Sequence, residues 1–124
     1  MDKLAFISEH MDAIAVPYAF GEFAAPVVYP YTVGEISEFP TVTEDGFEES
    51  TLLLTCFHRG AYIELEKLKA TIKAHFNPNF GLRGHTDSGS IAVFFDGAFY
   101  IPSGEAELKK MQINLKIKEW KGAK

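Results

Sequence analysis

The sequence predicts an α+β fold, an antiparallel β-sheet with two main helices packed on one face, and three observations predict it. Between Lys110 and Lys118, the apolar residues Met111, Ile113, Leu115 and Ile117 alternate with polar ones, the period-two signature of a strand with one buried face. Two stretches, Leu4-Ile7-Met11-Ile14 and Tyr62-Leu65-Leu68-Ile72-Phe76, place apolar residues at helical spacing. Short turns at Asp96-Gly97 and Ser103-Gly104 join strands too closely for a parallel crossover. The predicted order is helix, three strands, helix, three strands.

Asp2 is placed to cap the first helix, which ends before Val16-Pro17. Val16 to Phe23 reads as the first strand, weakened at Gly21 and closed by Ala24-Ala25-Pro26. Val27 to Ile36 reads as the second, with Tyr29, Tyr31 and Val33 on one face and Pro30 implying an edge or a bulge. Residues 35 to 50 are polar and acidic, and two readings stay open. They form either a loop or a hairpin arm that folds at Asp45-Gly46 beyond the sheet.

Thr51 to Phe57 is a third strand, whose near-continuous run Leu52-Leu53-Leu54-Thr55-Cys56-Phe57 predicts a central position with cover on both faces. The second helix follows Arg59-Gly60, ends at Asn77-Pro78, and is expected to bury Leu65, Leu68 and Ile72 against Leu53 or its neighbours. Gly81 to Ser90 is turn-rich. Ile91 to Phe95 and Ala98 to Ile101 flank Asp96-Gly97 as a hairpin, and the alternating strand closes the chain.

With 124 residues, 47% of them hydrophobic, the chain suits a single domain over residues 1–124. Eleven Phe and five Tyr supply large apolar area that serves cores and interfaces alike. A net charge of −5 lacks the positive field that drives binding to a phosphate backbone, which disfavours sequence-specific nucleic-acid recognition. The signs are unevenly placed. Glu35, Glu38, Glu44, Asp45, Glu48 and Glu49 fall in one stretch and Lys109 to Lys124 is mostly basic, an asymmetry that suits head-to-tail association of copies. Cys56 stands alone, compatible with a reducing compartment, and the start of the chain lacks a secretory pattern. No membrane partner is expected.

Candidates for chemistry are weak. His10, His58, His75 and His85 have no metal-site spacing, and His85-Thr86-Asp87-Ser88 holds triad residue types side by side, although a triad assembles through the fold. Gly81, Gly84 and Gly89 lack the lysine of a phosphate loop and read as turn glycines. The acidic cluster does not match a calcium loop. No catalytic residue, metal or cofactor is predicted, and the chain reads as a structural protein rather than an enzyme. The alternative is a small-molecule-binding or hydrolytic α+β domain with an aromatic pocket among Tyr18, Phe20, Tyr29 and Tyr31.

Three groups of residues resemble prophage-encoded proteins of Gram-positive bacteria in the phage tail terminator family. They are Tyr29-Pro30-Tyr31-Thr32-Val33-Gly34-Glu35, Glu44-Asp45-Gly46, and Leu53-Leu54-Thr55-Cys56-Phe57-His58-Arg59-Gly60 followed by the helix with Leu65-Glu66-Lys67-Leu68-Lys69. Where that pattern carries a small residue after Thr55, this chain has Cys56. The resemblance implies a homo-oligomeric ring, typically of six subunits, that caps the tail tube and joins it to the head. The implied partners are the tail tube protein and a head-completion protein, in a virion made in the bacterial host cytoplasm. Another head-to-tail connector of similar size is the neighbouring reading. On either, residues 35 to 50 form an interface arm.

Overall fold

Asp2 accepts a hydrogen bond from the Ala5 amide at 2.9 Å and so caps helix α1 (Lys3–Ala13), as its position predicts. The computed structural model describes residues 2–22, 29–42, 47–87 and 89–121. After α1 come strands β1 (Tyr18–Phe20), β2 (Tyr31–Val42) and β3 (Phe47–Arg59), helix α2 (Tyr62–His75), and strands β4 (Leu82–Thr86), β5 (Gly89–Ile101) and β6 (Leu108–Lys121). The fold class is α+β.

The six strands form one mixed sheet in the order β1-β2-β3-β6-β5-β4. Every neighbouring pair is antiparallel except β1 and β2, which run parallel from Tyr18↔Thr32 to Phe20↔Gly34. The parallel edge departs from an all-antiparallel sheet. Gly21, at φ 86°, ends β1 after three residues, and β2 runs in the same direction from Tyr31. Pro30 precedes β2 and lies outside the ladder, so it marks neither a strand edge nor a bulge.

Strands β3 and β6 are the central pair, as the apolar run predicts. Cover on both faces is not observed. Ser50, Leu52, Leu54 and Cys56 are buried while Thr51, Leu53, Thr55 and Phe57 between them are half-buried, because both helices lie on one side. On that side Phe6, Ile7 and Met11 of α1 and Leu65, Leu68 and Ile72 of α2 share a core with Leu52, Leu54, Ile113, Leu115 and Ile117. Leu53 faces the opposite way, so α2 packs on Leu52 and Leu54 instead. Tyr62, at the head of the apolar stripe, is 52% exposed and meets Tyr100 edge-on at 4.9 Å.

Two further expectations are corrected. Asp96-Gly97 is not a hairpin turn but a bulge within β5: Phe95 pairs with Leu115 and Ala98 with Ile113, so three steps on β5 match two on β6. Gly97, at φ 121°, takes the backbone shape that the extra residue requires. The missing strand is β4, inside the segment read as turns, where Gly84 lets the Phe6 ring approach the sheet closely. A Cβ there would stand 2.9 Å from that ring.

The two faces make opposite demands on adjacent leucines. Leu54→Ala is expected to cost about 2 to 5 kcal/mol through lost burial and a cavity, and Leu53→Ala well under half of that, measured by urea midpoints. Equal losses would mean that the helices do not define the core face.

Candidate functional site

The residues on the face of the sheet opposite the helices follow from strand alternation. At one end Tyr31 stacks on Phe57 with ring centroids 4.9 Å apart, and Tyr29 adjoins Tyr31 at 5.4 Å. The Lys110 ammonium lies 5.6 Å from the Phe57 centroid and the Lys118 ammonium 5.5 Å from that of Phe94, so lysine stems partly shield the aromatic rings. Arg59 donates to the Tyr29 hydroxyl at 3.4 Å and lies 3.3 Å from Glu105. A shallow hollow of about 230 Å³ opens between Tyr31, Val33, Glu35, Thr55 and Phe57.

At the other end, His85, Ser90 and Trp120 stand in one row across β4, β5 and β6, because His85 pairs with Ser90 and Ser90 with Trp120. Arg83 projects from the same face two residues along β4. With the backbone around Gly84 and Ile91, these side chains line a cleft of about 560 Å³.

The predicted interface residues separate. Glu35 is exposed on the open face. Glu38 pairs with Lys3, whose ammonium is also 3.4 Å from Glu119, a carboxylate only 6% exposed. Burial opposes the charge of Lys3 and the Glu38 and Glu119 carboxylates outweigh it, so its pKa ends above the ordinary lysine value. Glu48 and Glu49 border the same small cavity, and Glu49 lies 3.8 Å from Lys116. Glu44 and Asp45 lie outside the described residues. The hairpin reading of residues 35 to 50 fits β2 and β3, but β3 stays within the sheet, since Phe47 still pairs with Trp120.

That ladder also changes the meaning of the charge asymmetry. Glu49 is opposite Lys118 in register and close to Lys116, so the acidic and basic stretches meet within one subunit. Their opposite signs do not by themselves call for a second copy.

Other candidates resolve individually. Tyr18 lies on the core side, where a Cβ on Gly34 would stand 2.6 Å from its hydroxyl, whereas Tyr31 is on the open face. The four aromatic residues considered for a pocket therefore do not converge. His85 and Thr86 point to opposite faces of β4 and cannot act on one substrate. His10 and His75, 65 residues apart, come together with Nδ1 and Nε2 at 3.0 Å, a pair that no sequence spacing signals. Burial, and then the neighbouring His10, hold the His75 pKa below its usual value. Among the described residues no group of three or more His, Cys, Asp or Glu is arranged to hold a metal ion, and no helix is long and apolar enough to cross a membrane.

No protein-family model matches the sequence, and no curated protein does either. Solved structures do match. One of them, whose name describes no function, superposes with a TM-score of 0.70 at 13% identity, covering 100% of this chain and 99% of its own. At that identity the likeness shows a shared fold alone.

Burial raises the Cys56 thiol to about 11, opposed by a hydrogen bond from Thr32, and raises the Tyr18 phenol to about 12. Both groups hold their protons more tightly when folded, so the stability they contribute is complete below the unfolded values of 9.0 and 10.0. It is lost as pH rises through the folded ones. Urea midpoints of the parent should therefore fall from about pH 9 upward, and those of Cys56→Ala, lower overall, should stay level until about pH 10. The same onset in both would show that the thiol is not the first group to yield.

Proposed function

We propose that the chain is the ring-forming subunit of a phage tail terminator, which caps the tail tube and joins tail to head. The observation that carries this reading is the one-sided sheet. Two helices cover one face, and the other presents Tyr31, Val33, Leu53 and Phe57 with no helix above them among the described residues. Exposed apolar surface rimmed by charge is characteristic of surfaces that meet another protein. A ring needs two different patches on each subunit, and the open face with its Glu35 rim supplies one of them.

The resemblance in sequence supports the same reading. The segments Tyr31 to Glu35 and Leu53 to Phe57 pair with each other in register, and α2 follows directly, so residues scattered along the chain form one continuous region. On this reading the protein is not an enzyme, needs no cofactor, and works with a tail tube protein and a head-completion protein at the head-to-tail junction of the virion. Assembly proceeds in the bacterial cytoplasm, on the tube.

The test is to mix the protein with purified tail tubes of the phage whose genes adjoin its own and to image the tube ends. The parent is expected to cap them, and Leu53→Asp, folded by circular dichroism, to cap them at least about tenfold less because a buried unpaired charge is costly in an interface. Bare ends with the parent would reject the terminator. Equal capping by Leu53→Asp would reject the open face as the contact.

A further inference from the structure

Nearly every described cationic side chain already has a partner. Lys3, Arg59, Lys67, Lys69 and Lys116 lie against carboxylates. Lys73, Lys109, Lys110 and Lys118 lie over aromatic rings. Arg83 is the exception: among the described residues its guanidinium is exposed, with no ion pair, side-chain hydrogen bond or ring contact. It is also the cation that lines the 560 Å³ cleft, beside His85, Ser90 and Trp120.

We propose that this cleft binds a small anion that carries a heteroaromatic ring and a phosphate, of mononucleotide size. The volume falls in the range of small-molecule sites, roughly 300 to 1,000 Å³. The guanidinium presents a planar fork that matches two phosphate oxygens, and among the described residues Arg83 has no internal ion pair to break before it is recruited. The Ser90 hydroxyl and an imidazole N–H of His85 supply further donors, because both rise from the same row of the sheet. Trp120, in that row, offers an indole edge or face to the ring of the ligand. Two strand spacings separate Trp120 from His85, about 10 Å, enough to place a ring on one and its phosphate near the other.

The overall charge of −5 does not forbid this. Screening over about 8 Å at physiological salt leaves a bound phosphate governed by its immediate neighbours. Nor does the site depend on ring formation: Trp120 and Lys110 lie ten residues apart on β6, about 34 Å, so the cleft is remote from the Tyr31-Phe57 end of the face.

The chain has a single tryptophan, so its fluorescence reports on this cleft directly. Titration with adenosine 5′-monophosphate is expected to give a saturable change, with adenosine and inorganic phosphate each binding more weakly. Arg83→Gln should weaken the affinity roughly tenfold or more, with Arg83→Lys falling between because it keeps charge without the fork. The exposed position of Arg83 leaves the fold intact, which circular dichroism checks. Three outcomes would overturn the proposal: no saturable change up to about 5 mM, equal affinity for adenosine and its monophosphate, or an unaltered affinity in Arg83→Gln. A single-stranded oligonucleotide that binds far more tightly than the mononucleotide would overturn the assignment to a small ligand.

Discussion

All thirteen residues of β3 have partners on β6, from Phe47↔Trp120 to Arg59↔Leu108, and this ladder joins the two halves of the chain. The strands before α2 reach the rest of the sheet only through β3, and those after it only through β6. Closing that pairing orders a loop of about fifty residues between Arg59 and Leu108, an entropic cost that grows only slowly with length. The rows Cys56-Met111, Leu54-Ile113 and Leu52-Leu115 offset it, because each puts two apolar side chains under the helices together. Once the ladder forms, α1 and α2 have one face to settle on, and Lys3 reaches the buried Glu119 of β6 from the first turn of α1.

A sheet covered on one face must manage the other. Here the management is mixed: the polar residues Gln112 and Asn114 share the face with Leu53 and Phe57, and lysine stems lie across the aromatic rings. The outermost strands are short, β1 with three residues and β4 with five, so each covers only part of its neighbour: among the described residues, β2 beyond Gly34 pairs with β3 alone.

How much of this was legible in the sequence depends on what each signal measures. The alternation of β6 was readable because Met111, Ile113, Leu115 and Ile117 report one buried face, which is what the structure has. The run from Leu52 to Phe57 misled because hydrophobicity reports absence of preference for water and not which layer supplies cover; Leu53 is apolar on a face without helices. Asp96-Gly97 carried the chemistry of a turn, and a bulge asks the same of glycine, so only the pairing with β6 could separate them. Strand β4 was hidden because Arg83, Gly84 and His85 satisfy a contact with Phe6 and an exposed face, with no β-branched residue between them. The cleft was invisible for a related reason. Its residues come from three strands, and neither Arg83 nor Trp120 belongs to a motif.

The same comparison alters how charge should be read along this chain. In sequence, the acidic stretch from Glu35 to Glu49 and the basic tail looked like two surfaces awaiting each other on different copies. In the fold, Glu49 meets Lys116 on the adjacent strand and Glu38 meets Lys3 of α1, so part of that charge is paired within one chain. An exposed pair such as Glu49 and Lys116 contributes only about 0 to 1 kcal/mol to stability, but it removes both charges from those available to a partner. What remains unspent is then more informative than the net charge. Glu35 remains beside the hollow at the aromatic end of the open face and Arg83 in the cleft at the opposite end, an anion and a cation that have no neighbour of opposite sign among the described residues.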